Sequence, residues 1–191
     1  MKKLVLASSS PRRAELLGQI GLNFEIITSD VDETPLPGLS PSEQVEYLAR
    51  KKAEAVAREV NSGIVIAADT IVVWRGQTLG KPLDGDEAFA ILSRLQGSAH
   101  DVFTGVALVD THTGKILVEH EQTRVFLRAI EEDEICRYID SGEPFDKAGA
   151  YGVQGLAAIF VERLEGCYTN VVGLPLARLS LMLKKSGFNV L

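Results

Sequence analysis

The sequence predicts an α/β fold built on a mixed, twisted sheet with flanking helices. Three observations carry this. Over the first hundred residues, short apolar runs alternate with capped helical stretches, the order expected of βαβ units. Beyond residue 100, two long segments flank Asp110-Thr111-His112-Thr113-Gly114, a turn sequence. The hairpin they form favours a mixed sheet over a simple doubly wound one. A length of 191 residues with 46% hydrophobic and 24% charged content fits one domain, 1–191, with enough core to need no staple.

Leu4-Val5-Leu6-Ala7 reads as a short buried strand. Ser10 then stands as an N-cap with Pro11 at the first helical position, and the helix runs to Gln19 and stops at Gly21. Phe24 to Thr28 reads as a second strand, and the acidic, proline-containing Asp30 to Pro37 as a loop. Ser40-Pro41-Ser42-Glu43 combines a cap, a proline and a capping-box glutamate, and starts a helix reaching to near Val60. Ile64 to Trp74 is the central strand, and Arg75-Gly76-Gln77 turns the chain back. Asp84-Gly85-Asp86-Glu87 caps a helix that ends near Gly97. The hairpin arms are Asp101 to Val109 and Lys115 to Leu127. Glu131 to Asp140 is a helix, Glu143 to Gly155 is glycine-rich and irregular, Ala158 to Arg163 is a strand, and Pro175 to Ser186 is the closing helix.

A net charge of −6 argues against a general grip on nucleic acid, so any local cluster of cations needs its own explanation. Cys136 and Cys167 form no CxxC or zinc pattern and are read as reduced and structural. After Met1-Lys2-Lys3 only Leu4 to Ala7 are apolar, too few for a signal peptide, and no apolar run is long enough to span a bilayer. The chain is therefore read as soluble and cytoplasmic, without nucleic-acid or membrane partners. A homodimer is compatible with it.

The most informative stretch is Ala67-Ala68-Asp69-Thr70-Ile71-Val72-Val73. An acid inside such an apolar run is costly to bury unless something pairs with it, and its internal place in the strand rules out a turn role. Arg12 and Arg13 sit at a helix N-terminus, against the dipole preference. That makes sense if an anion neutralises them there, and they are otherwise plain surface cations. On the helix that starts at Pro41, Val45, Leu48, Ala49, Val56 and Val60 make one apolar stripe. Lys52 falls near its middle while Arg50 and Lys51 fall off it, so Lys52 points inward, to snorkel or to meet an anion.

Gly76 to Lys81 is not a phosphate loop, because the glycine spacing is too short and Pro82 replaces the required hydroxyl residue. Lys81 can still reach phosphate as a side-chain donor. Glu33, in Asp30-Val31-Asp32-Glu33, offers oxygen to a hard cation or is simply solvated. Gly149-Ala150-Tyr151-Gly152-Val153-Gln154-Gly155 allows close backbone approach to a ligand, with Gln154 able to read a base edge and Lys147 adding a cation beside it. His100, His112 and His120 lack metal-ligand spacing and are read as structural.

Taken together, Leu6-Ala7-Ser8-Ser9-Ser10-Pro11-Arg12-Arg13-Ala14-Glu15-Leu16-Leu17 resembles the opening motif of the Maf proteins, nucleoside triphosphate pyrophosphatases. So do Ala68-Asp69-Thr70, Gly80-Lys81-Pro82, Thr104-Gly105, the segment Asp146 to Gly155, and Val172-Gly173-Leu174-Pro175. The resemblance implies a fold similar to inosine triphosphate pyrophosphatases, with two lobes around a cleft. It also implies cleavage between the α and β phosphates to give a nucleoside monophosphate and pyrophosphate, with Mg²⁺ or Mn²⁺. By the same resemblance Asp69 is the catalytic residue, as general base or metal ligand, and Glu33 joins it at the metal. Ser8, Arg13, Lys52 and Lys81 bind phosphate, and Arg12, Thr70 and Gln154 set substrate choice.

Ser-Pro-Arg-Arg, Ala-Asp-Thr and Tyr-Gly-Val-Gln-Gly are similar to the branch acting on dTTP and UTP. Val31 to Pro35 and Glu162 to Gly166 look closer to the branch acting on 7-methyl-GTP, but they lie away from the specificity positions. A nucleotide-binding regulator of cell division, without turnover, is the reading from a different class. It has no need of Asp69.

Overall fold

A computed structural model describes residues 3–191. The chain divides into two compact units. The first runs to Asp69 and takes in Thr104–Glu121 and Gly173–Leu191, and the second comprises Thr70–Phe103 and Gln122–Val172. The described residues form a mixed sheet of seven strands.

In the first unit, β1 (Leu4–Leu6) lies between β2 (Phe24–Ile26) and β3 (Ile64–Trp74), parallel to both, with Leu4 beside Phe24 and Ile64. Each crossover carries one helix, α1 (Pro11–Gln19) and α2 (Pro41–Ala57). The capping box predicted for α2 is present. Ser40 Oγ accepts from the Glu43 amide at 3.4 Å, and the Ser40 amide donates to Glu43 Oε2 at 2.8 Å. Val45, Leu48, Ala49, Ala53 and Val56 of α2 are buried, as the stripe requires. Several of them pack with Val5, Ala7, Val65, Ala67, Ala107 and Val109.

The approach of α2 to β5 (Ala99–Asp110) is close. A Cβ at Gly105 would lie 2.3 Å from the Val45 carbonyl oxygen, so only glycine fits there. β6 (Ile116–Leu127) follows β5 through a turn in which the Asp110 amide bonds to Lys115 O at 2.9 Å. The closing helix, α6 (Leu176–Lys185), also belongs to this unit.

The second unit holds α3 (Gly85–Leu95), α4 (Glu132–Asp140), the short α5 (Tyr168–Val172) and the strands β4 (Gln77–Leu79) and β7 (Val161–Glu165). Its core joins Val72, Ile91, Leu92, Leu95, Val125, Ile135, Tyr138, Tyr151 and Phe160, among others. Asp84 caps α3 by accepting from the Glu87 amide at 2.9 Å.

Three sequence expectations need correction and one, the turn after β3, is borne out and extended. Phe24 to Thr28 shortens to Phe24–Ile26, whose mostly exposed residues have little to bury beyond β1. α2 stops at Ala57 rather than near Val60. The turn at Arg75 and Gly76, both at positive φ, closes a two-residue hairpin, so β4 pairs antiparallel with β3, Trp74 opposite Gln77. The strand expected over Ala158 to Arg163 instead opens as a 3₁₀ turn at Leu156–Phe160. Ala157 and Phe160 are buried while Ala158 and Ile159 face out. That is a period of three, which suits a 3₁₀ turn and not a strand.

Gly105→Ala should destabilise the protein by about 1–3 kcal/mol or more, because the new methyl meets helix backbone that cannot rotate away. Gly18→Ala, inside α1 with open space around it, should be neutral or stabilising by up to about 1 kcal/mol. Urea midpoints for the two variants check this. Equal midpoints would show that α2 and β5 are not in the contact described.

Candidate active site

Asp69 sits on β3 and is only 6% exposed. Lys52, on the buried stripe of α2, is equally buried and donates from Nζ to Asp69 Oδ1 at 2.7 Å. The same Nζ lies 3.0 Å from Glu33 Oε1, whose side chain is more than half exposed. One ammonium therefore gathers two carboxylates, one deep and one at the surface.

The inward direction read for Lys52 is observed. Lys51, one position on, instead donates to the Asp32 carbonyl at 2.7 Å. That bond ties the acidic loop to α2. Within the loop, Asp32 Oδ1 accepts from the Thr34 amide at 2.9 Å and from its hydroxyl at 2.6 Å, and the Leu36 amide donates to Gln44 Oε1 at 3.0 Å. Together these bonds leave Glu33 on Lys52.

The first helix completes the cluster. Ser10 occupies the N-cap position of α1, but its side chain caps nothing, a correction to the sequence reading. Its amide donates to Ser8 Oγ at 3.2 Å. Arg13 Nη1 donates to the same oxygen at 3.2 Å, and Arg13 Nε donates to the Gly173 carbonyl at 2.9 Å. The opening motif and the Val172-Gly173 segment, 160 positions apart, are thus joined. Burial lowers the pKa of Arg13, and the nearby charge of Asp69 partly offsets this, with Arg12 lowering it and Glu33 raising it. The first unit therefore brings together Ser8, Arg12, Arg13, Glu33, Lys52 and Asp69, three cations against two carboxylates.

The second unit carries the remaining predicted residues. Thr70 is partly buried on β3, Lys81 is exposed after β4, and Gln154 is partly buried. Lys81 and Gln154 are linked through their neighbours, because the Gly149 amide donates to the Gly80 carbonyl at 2.9 Å. Gly149 has φ +74, and a Cβ there would meet Val72 at 3.0 Å. Lys147 does not stand beside Gln154 as an available cation. It donates to the Glu143 carbonyl at 2.7 Å and to Asp146 Oδ1 at 2.6 Å, so its charge is met locally.

Two features escaped the sequence. The Gly173 carbonyl that holds Arg13 belongs to backbone and carries no side-chain signal. His100 and Tyr151 form a buried pair in the second unit, with Nε2 and Oη 2.7 Å apart and rings edge to face. His120 bonds to Glu46 at 2.7 Å, and His112 is exposed.

The model for the family of Maf-like proteins matches residues 3–186. The dTTP/UTP pyrophosphatase of Pelotomaculum thermopropionicum is 60% identical over 191 residues, covering all of both chains. That of Caldicellulosiruptor bescii is 51% identical over 195 residues, covering 100% of this chain and 98% of its own. That of Desulforamulus reducens is 50% identical over 190 residues, covering all of both. Among solved structures, the Ham1 protein of Staphylococcus aureus aligns with a TM-score of 0.44 at 16% identity, covering 66% of this chain and 72% of that one.

Lys52→Met should destabilise the protein by about 3–5 kcal/mol, since it strands Asp69 as a buried unpaired charge. Lys51→Ala should change stability by less than about 1 kcal/mol. Adding Asp69→Asn to Lys52→Met should recover most of the loss, and a double-mutant cycle in urea measures this.

Burial pushes the His100 imidazole down to about 4 from 6.5, against a small opposing effect of Asp101. Below pH 6.5 the unfolded ring takes a proton that the folded ring refuses. The stabilisation is complete above that pH and is lost as pH falls toward 4, about 3 kcal/mol in all. His100→Gln should flatten the fall in unfolding free energy over this window.

Proposed function

The chain belongs to the Maf-like protein family, and from that premise we propose that it is a nucleoside triphosphate pyrophosphatase acting on dTTP and UTP. The observation that carries this is the buried Asp69, set on Lys52 and Glu33 in a cluster with Arg12 and Arg13. An acid is kept at high desolvation cost where cations gather, which is what hydrolysis of a polyanion needs and what passive binding does not. The identities of 50–60% to relatives named for dTTP and UTP support the substrate choice.

The reaction adds water to the α-phosphorus and breaks the bond from that phosphorus to the bridging oxygen, releasing pyrophosphate and the monophosphate. Ser8, Arg13, Lys52 and Lys81 hold the phosphates, so that charge developing on the leaving pyrophosphate meets fixed donors. Asp69 orients the attacking water and accepts its proton. Gln154 presents amide donor and acceptor to the imide edge shared by uracil and thymine, with Thr70 and Arg12 completing substrate choice.

Asp69 and Glu33 already converge on one cation, the Lys52 ammonium. Two hard carboxylate oxygens of this kind fit Mg²⁺ or Mn²⁺ held jointly with substrate phosphates. When bound, such an ion neutralises phosphate charge and polarises the scissile bond. Cys136 and Cys167 are both free thiols, which suits a reducing cytoplasm.

Asp69→Asn should lower kcat by roughly 100-fold or more while the far-UV spectrum stays unchanged. Pyrophosphate release from a panel of triphosphates with Mg²⁺ or Mn²⁺ tests the assignment. UTP and dTTP should lead, with CTP poorer because it lacks the N3–H. Gln154→Glu should narrow the gap between UTP and CTP more than it weakens phosphate binding. A folded Asp69→Asn variant with full turnover would sink the catalytic assignment. A purine triphosphate that outperforms both pyrimidines would sink the substrate choice.

A further inference from the structure

We propose that His100 is a positioning residue for substrate choice, holding the segment 147–156 at Tyr151 and so fixing where Gln154 is presented. This rests on the reading of Gln154 given above.

The segment is anchored at several points. Near its start the Gly149 amide donates to the Gly80 carbonyl at 2.9 Å. The next residue, Ala150, is fully buried at φ +60, a left-handed conformation that costs a non-glycine residue about 1–2 kcal/mol. Such a conformation persists only where neighbouring contacts over-determine it. The contact immediately following is Tyr151, buried, with its hydroxyl 2.7 Å from His100 Nε2 on β5. At the far end, Glu143 Oε2 accepts from the Leu156 amide at 2.9 Å while Oε1 accepts from the Tyr138 hydroxyl at 3.1 Å. The Gly152 amide reaches the same Tyr138 hydroxyl. Gln154 lies between these anchors, three residues past Tyr151 and two before Leu156.

The choice of an imidazole at position 100 carries the inference further. His100 is 2% exposed, and its Nδ1 has no hydrogen-bond partner among the described residues. A buried polar nitrogen left without a partner costs about 1–3 kcal/mol, and a phenyl ring of the same shape would avoid that. Packing alone therefore favours phenylalanine. What the imidazole provides and phenylalanine cannot is the bond to Tyr151, and through it the placement of the segment. The sequence reading of His100 as merely structural is extended on this point.

The test uses the full-length protein with three variants. Tyr151→Phe keeps ring and volume and removes only the hydroxyl. His100→Phe removes the bond from the other side, and His100→Gln keeps a hydrogen-bonding group near the Nε2 position. Hydrogen exchange is followed by mass spectrometry on protein without ligand. Exchange across 147–156 should rise at least about fivefold in Tyr151→Phe and His100→Phe, the loss of one hydrogen bond, and much less in His100→Gln. Peptides covering Lys52 and Asp69 should not change.

In kinetics, the ratio of kcat/KM for UTP over CTP should fall by about fivefold in the first two variants. Inhibition by pyrophosphate, which samples only the phosphate groups, should stay within about twofold. Unchanged exchange across 147–156 in Tyr151→Phe overturns the proposal. A uniform rise in exchange along the chain, or an equal loss of activity on every triphosphate, also overturns it by assigning the pair to general stability. If the wild-type protein shows no preference for UTP over CTP, the reading of Gln154 fails, while the exchange result still decides whether His100 holds the segment.

Discussion

The ion pair between Lys52 and Asp69 is the constraint around which the first unit is organised. Both groups are nearly removed from water, and either one alone would be prohibitively costly there. Their bond requires α2 to present position 52 inward, in the middle of an apolar stripe, at the point where β3 carries its acid. That requires α2 to lie close to the sheet, and Gly105 makes the approach fit by leaving no Cβ against Val45. The acidic loop is then drawn in, because Lys51 and Lys52 reach the Asp32 carbonyl and the Glu33 carboxylate from adjacent positions of one helix. A helix register, a glycine and a loop conformation thus all answer to a single buried charge.

Arg13 shows the same economy of means at the helix N-terminus. Its guanidinium is directed by two neutral acceptors, Ser8 Oγ and the Gly173 carbonyl. Lys147 is the opposite case. Its sequence context looked equally promising, yet Asp146 and the Glu143 carbonyl take its donors. What a cation does in the fold is decided by the acceptors it faces, not by the residue type.

The second unit solves a different problem, which is to make a glycine-rich segment hold one shape. Glycines lower the steric barriers and raise the entropy to be overcome on ordering. The segment around Gln154 meets that cost with backbone amides donating to the Gly80 carbonyl and the Glu143 carboxylate, and with the buried contact of Tyr151 on His100. Its order comes from the strands and helices beneath it, and its own sequence supplies only the permission to bend.

Much was legible in the sequence. The capping box of α2, the extent of β3, the hairpin and the inward direction of Lys52 follow from local rules. These are spacing, side-chain chemistry at helix ends and the period of apolar residues, none of which needs a distant partner. What the chain alone did not determine depends on contacts between residues far apart. The pairing of β4 required β3 beside it, and the 3₁₀ turn at Leu156–Phe160 required Glu143 to hold the Leu156 amide. The grip of Gly173 on Arg13 spans 160 positions and uses a backbone carbonyl that every residue possesses. The bond between His100 and Tyr151 joins a histidine that read as structural and a tyrosine that read only as part of a glycine-rich, irregular segment. Periodicity and capping are properties of neighbours along the chain. Which buried donor meets which acceptor is a property of the folded molecule, because only tertiary packing removes the water that would otherwise satisfy both.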